Sequence, residues 1–129
     1  MVFRRLETPA DFSRACRLFG ACEPWSADEI WFGLWNLTAT DGDALAAIAA
    51  TRRNSPRVVE VRAIKTHRGY AVQARLLREL ADTCRAHGVE WLIATADAAG
   101  TDVLRRQGFV LTADLNMPEI RAGWLALQV

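Results

Sequence analysis

The residues of this 129-residue chain best suited to chemistry lie in one run, Ala63-Ile64-Lys65-Thr66-His67-Arg68-Gly69-Tyr70-Ala71-Val72-Gln73-Ala74-Arg75-Leu76-Leu77. The run joins an alternating stretch, Arg57 to Ile64, to a helical apolar stripe at Val72, Leu76, Leu77, Leu80, Ala81 and Cys84. A loop that turns directly into a helix exposes backbone N–H groups at the positive end of the helix dipole, where a phosphate is favoured. Small residues such as Gly69 let the anion approach the backbone, and Arg68 adds a charge with phosphate-matching geometry. The run therefore reads as a phosphate cradle.

Other candidates carry bland readings beside the functional ones. Glu60 is a strand carboxylate that Arg62 or Arg57 could neutralise at the surface. His67 is either a loop histidine at the surface or a wall of the site. Trp31 and Trp35 lie at i,i+4 spacing, so they present one face, which either covers the sheet or lines a pocket. Cys16, Cys22 and Cys84 form no CxxC pair, and Cys16 and Cys84 fall on apolar helix faces, which predicts reduced, buried thiols. His67 and His87 are too isolated to imply a metal, and none is expected.

The elements that must position these residues follow from period and punctuation. Val2 to Leu6 is a strand, and Thr8-Pro9-Ala10-Asp11 caps a first helix that Gly20 ends. Ser26-Ala27-Asp28-Glu29 has the form of a capping box, so a second helix is expected from about Ala27 to Leu34. Asn36 to Thr40 and Ala44 to Thr51, joined through Asp41-Gly42, read as a hairpin. Arg57 to Ile64 adds a third strand of the meander, with Val59, Val61 and Ala63 on one face and Val58, Glu60, Arg62 and Ile64 on the other.

The long helix after Gly69 ends at Gly88, with Arg75/Glu79 and Arg78/Asp82 pairs on its wet side. Val89 to Ala94 is a strand, Thr101 to Gln107 a short helix capped by Gly108, and Phe109 to Ala113 and Trp124 to Val129 are closing strands. Asp97 is expected to cap a helix. The order is β-α-α-β-β-β-α-β-α-β-β, a mixed α/β sheet with helices on both faces in one domain spanning residues 1–129.

Composition narrows the function classes. With 51% hydrophobic and 24% charged residues the chain has an ordinary globular balance, which suits one core. A formal charge of +1, with no basic run beyond doublets such as Arg105-Arg106, gives no nucleic-acid footprint. The uncharged stretch Ile30 to Thr40 is shorter than the roughly 18 apolar residues that a membrane span takes, and the start MVFRRLETP has no signal-peptide core. A cytoplasmic protein is expected.

The element order, the run from Ala63 to Leu77 and the segment Leu104-Arg105-Arg106-Gln107-Gly108-Phe109 together resemble the GNAT (GCN5-related N-acetyltransferase) family over nearly the whole chain. The first segment is similar to the family's V-x-P-x-x-R-G-x-G-x-G-x-x-L-L motif, with Ala71 and Gln73 at the two later glycines; the second is similar to its lYekLGF ending. The resemblance implies a GNAT-type, mostly antiparallel mixed sheet and acetyl-CoA, or another acyl-CoA, as co-substrate. It implies that Val61, Arg62, Ala63, Arg68, Gly69, Tyr70, Ala71, Val72 and Gln73 contact the cofactor, and that Glu60 on the fourth strand acts as base.

By the same resemblance, Trp31 and Trp35 wall the acceptor pocket, and the acceptor is a small-molecule or peptide amine. A homodimer is compatible with the family. The family's acidic tyrosine position, four residues before Gly108, is Leu104 here, and the chain's only tyrosine is Tyr70. The expected function is N-acyl transfer. The rival readings are a GNAT-fold protein that binds acyl-CoA or a partner without turnover, and an α/β domain that binds no CoA.

Overall fold

The computed structural model describes residues 1–20, 28–36, 45–95, 100–112 and 124–129. Among them lie seven strands and three helices: β1 Val2–Arg5, α1 Pro9–Phe19, β2 Glu29–Trp35, β3 Leu45–Ser55, β4 Val58–Thr66, α2 Tyr70–Ala86, β5 Trp91–Ala94, α3 Thr101–Arg106, β6 Val110–Leu111 and β7 Leu125–Gln128. The strands form one sheet in the order β1-β2-β3-β4-β5-β7-β6, antiparallel except where β4 and β5 run parallel. That exception is forced by the α2 crossover, since a parallel neighbour needs a helix-length return.

α1 begins as its residues dictate. Thr8 accepts the Asp11 N–H at 3.2 Å while the Asp11 carboxylate accepts the Thr8 N–H at 3.3 Å, and Gly20 closes the helix at φ 69°. α1 packs on one face of the sheet, over a cluster containing Leu6, Trp31, Trp35, Ile48 and Ala50. α2 packs on the other face, where Leu76, Leu77, Leu80 and Ala81 meet Leu34, Ala47, Val59, Val61 and Leu92 in the larger core.

The expected second helix is instead β2. It pairs with β3 from Glu29 to Trp35 and with β1 from Phe32 to Trp35, and both faces are covered, so the run after Glu29 is apolar on both sides. A strand buried on both sides carries no alternation to distinguish it from a buried helix, and i,i+4 residues share a face in either geometry. The hairpin turn at Asp41-Gly42 and most of the strand from Asn36 to Thr40 lie outside the described residues, as do Cys22 and Asp97.

β4 departs from regular alternation at one place. Ala50 pairs with Ala63 but Thr51 pairs with Val61, so Arg62 is an extra residue, a β-bulge. Past the bulge the faces exchange. Ile64, not Ala63, joins Val59 and Val61 beneath α2, while Ala63 packs on the α1 side. The pairing on α2 also differs in part: Arg75 meets Glu79 at 4.0 Å as expected, but Asp82 is held by Arg85 at 2.9 Å rather than by Arg78.

Candidate functional site

Three features converge at the C-terminal end of β4. The first is the bulge at Arg62. The second is the end of pairing with β5: the ladder stops at Val61↔Ala94, and β4 runs on from Arg62 to Thr66 with only β3 beside it among the described residues. The third is the start of α2. Gly69 holds the N-cap position at φ 84° and offers no side-chain cap, so the amides of the first turn have no such acceptor.

The loop between β4 and α2 is fixed by its own side chains. Thr66 donates from Oγ1 to the Ala46 carbonyl at 2.8 Å and accepts the Arg68 N–H at 3.0 Å. His67 places Nε2 2.7 Å from the Leu18 carbonyl and stacks on Phe19 at 5.2 Å, so it ties the loop to the end of α1. Arg68 is exposed and has no acidic partner among the described residues. Gln107 donates from Nε2 to the Tyr70 hydroxyl at 2.8 Å, and Arg106 lies over the Tyr70 ring at 5.1 Å, which fastens the N-terminus of α2 to the end of α3.

This geometry suits an extended ligand with a phosphate at one end. Unpaired backbone along Arg62 to Thr66 can bond amides laid beside it as another strand would, and the uncapped turn of α2 can take the phosphate. Val61 is 1% exposed and Arg62 is turned to the opposite face, so at Val61, Arg62 and Ala63 the main chain rather than the side chains faces the gap. Ala71 is exposed and Val72 and Gln73 are half-buried at the start of the helix.

Glu60 stands two residues before the bulge on the α1 face, directly across from Arg52, which in turn faces Glu29. Arg62 reaches both carboxylates, with Nη1 3.6 Å from Glu60 Oε2 and Nε 3.5 Å from Glu29 Oε1. Asn54 Nδ2 donates to the other Glu60 oxygen at 3.3 Å, while Arg57 is engaged by Glu90. Two carboxylates thus share one guanidinium. Sequence reading missed Glu29, assigning it to a helix cap; the signal was the β-forming run Glu29-Ile30-Trp31-Phe32-Gly33-Leu34-Trp35 that it heads. Trp31 and Trp35, at 1% and 3% exposure, lie in the packed layer under α1 and present little surface to any ligand.

No family model and no curated protein matches the chain by sequence. Structural comparison does find relatives of the whole fold. GCN5 from Tetrahymena superposes with a TM-score of 0.69 at 14% identity, covering 100% of this chain and 96% of that one. The chain has the GNAT fold. The ribosomal-protein-S18-alanine N-acetyltransferase of Escherichia coli matches at TM-score 0.66 and 20% identity over 99% of this chain and 93% of its own. YhbS, a GNAT-family N-acetyltransferase of Escherichia coli whose structure holds CoA, matches at 0.69 and 14% over 98% and 80%. In this GNAT fold, the bulge of β4, its divergence from β5 and the bare start of α2 are neighbours in space. Leu104, four residues before Gly108, is fully buried.

Proposed function

We propose that the chain transfers an acyl group, acetyl in the simplest case, from acyl-CoA to an amine. The observation that carries the reading is the meeting of an unpaired strand edge with an uncapped helix start, which fits the amide-bearing arm and the pyrophosphate of coenzyme A. Backbone amides from Gly69 to Gln73 and the guanidinium of Arg68 hold the phosphates; the main chain of Val61 to Ala63 aligns the arm. Neighbours whose structures hold CoA, YhbS and an aminoglycoside 6'-N-acetyltransferase, support this assignment.

Acyl-CoA supplies a thioester, whose thiolate is a tolerable leaving group because an ordinary thiol has a pKa of about 8.5. Glu60, directly or through water, takes the proton of the acceptor ammonium so that the free amine can attack the thioester carbonyl; as the C–N bond forms the C–S bond breaks, and the proton that the new amide sheds leaves with the thiolate as CoA thiol. Arg62 fixes the orientation of Glu60, and Glu29 fixes Arg62. The neighbours named for aminoglycosides and for a ribosomal-protein alanine make both a small-molecule and a peptide amine reasonable acceptors.

Calorimetry with CoA tests the binding step. Gly69→Asp brings a charge to the phosphate position and a side chain to a φ of 84°, and should abolish binding, whereas Glu60→Gln should leave affinity nearly unchanged. Equal affinity in wild type and Gly69→Asp would remove the placement. Turnover with a panel of amines tests the chemistry: Glu60→Gln should slow transfer by roughly 100-fold or more, most severely at low pH where free amine is scarce. The burial of Leu104 favours a second reading, a fold that binds CoA without turnover, and tight CoA binding with no thioester loss across the panel would establish it.

A further inference from the structure

A second concavity lies at the far end of α2, on the same face of the sheet. It encloses about 300 Å³. Its floor is apolar, formed by Ile30 and Phe32 of β2, Val59 of β4 and Val89 just past α2. α2 runs antiparallel to β4, so a helix of this length puts the concavity about 25 Å from Gly69. Nothing in the acyl-transfer reading uses it.

Among the described residues its charged lining is of one sign. Arg5 from β1 and Arg53 from β3 border it with His87 at the end of α2, and no acidic side chain of the described residues lines it. Arg5 has no acidic partner among the described residues, and Arg53 donates only to the Ser55 and Pro56 carbonyls, at 3.3 and 2.6 Å. His87 spends its Nδ1–H on the Thr83 carbonyl at 2.8 Å, so the two guanidinium groups carry the attraction for an anion. The C-terminal end of a helix carries about −0.5 charge, but the amides of His87 and Val89 already occupy the Thr83 and Cys84 carbonyls. Two full guanidinium charges outweigh it.

We propose that this concavity binds an amphipathic carboxylate, its head paired with a guanidinium of the rim, Arg5 or Arg53, and a short apolar tail over Ile30, Phe32, Val59 and Val89. Guanidinium groups without carboxylate partners suit a planar anion. The volume, at the low end of the roughly 300–1,000 Å³ of ligand sites, limits the tail to a medium chain. Octanoate is the probe, with octylamine and methyl octanoate as controls of equal chain length and different charge. Calorimetry on the full chain should show saturable binding of octanoate, at least about tenfold weaker binding of both controls, and a loss of at least about tenfold in the double variant Arg5→Gln/Arg53→Gln. CoA affinity should be unchanged in that variant. If the variant does not fold, the comparison of octanoate with methyl octanoate in wild type decides alone. No saturable binding at millimolar octanoate, equal binding of either control, or full octanoate affinity in a folded double variant would overturn the proposal.

Discussion

Asp11 and Cys84 show how single residues here depend on their surroundings. The hydrogen bonds from Arg4, opposed by partial burial and assisted by the N–H groups of Glu7 and Thr8, hold the Asp11 carboxyl well below the usual carboxylate range. A depressed value means that the ionised form stabilises the fold above the ordinary pKa of 3.8, and that this stability is lost progressively as pH falls below it. Asp11→Ala should therefore cost about 1–2 kcal/mol in urea unfolding at neutral pH, and the difference from wild type should shrink steadily below about pH 4. Burial pushes the Cys84 thiol up to about 11, with Arg53 pulling weakly the other way. At neutral pH the thiolate is scarce, so peptide mapping after treatment with a thiol reagent should find Cys84 unlabelled in native protein and labelled in urea. Rapid native labelling would mean that the end of α2 opens.

At the scale of elements, β2 owes its shape to Gly33. A Cβ built there would lie 2.3 and 2.5 Å from Trp35 ring atoms and 2.8 Å from Leu45 Cδ1. Trp35 folds its indole back over Gly33, and Arg4 stacks 3.8 Å from that ring. Gly33→Ala should thus displace the indole and cost roughly 1–3 kcal/mol in denaturant unfolding, despite the better strand propensity of alanine. An unchanged midpoint would show that the indole can move freely. The same strand explains why the second helix was misread. Ser26-Ala27-Asp28-Glu29 satisfies a capping pattern locally, but the following run pairs with β3 along its length and with β1 from Phe32 to Trp35 and packs against both apolar layers, and that outweighs a cap of about 1 kcal/mol. α1 and α2 were legible because each keeps one wet face and ends in a glycine at positive φ, Gly20 and Gly88.

Across the whole molecule, one sheet separates two apolar layers, and β2, β3 and β4 contribute to both. Neither layer can come apart without exposing the other. Unfolding followed by far-ultraviolet circular dichroism and by the fluorescence of the five tryptophans, Trp31 and Trp35 under α1 among them, should give coincident transitions. Separate midpoints would show that α1 detaches on its own. Among the described residues no helix is long and apolar enough to cross a membrane.

The order of elements from β4 to β7, the two long helices and the start of α2 at Gly69 were determined by the sequence itself. These rest on local physics: period, caps, and glycine where φ is positive. The tertiary structure alone decided the rest. The bulge at Arg62 is a mismatch of register between two strands, and no single strand carries it. The gap beside β4 depends on where β5 stops pairing. Glu29 and Glu60, distant in the chain, meet on Arg62 because β2, β3 and β4 lie side by side. Pairing across strands is a contact between remote residues, and only the folded sheet fixes which residue stands opposite which.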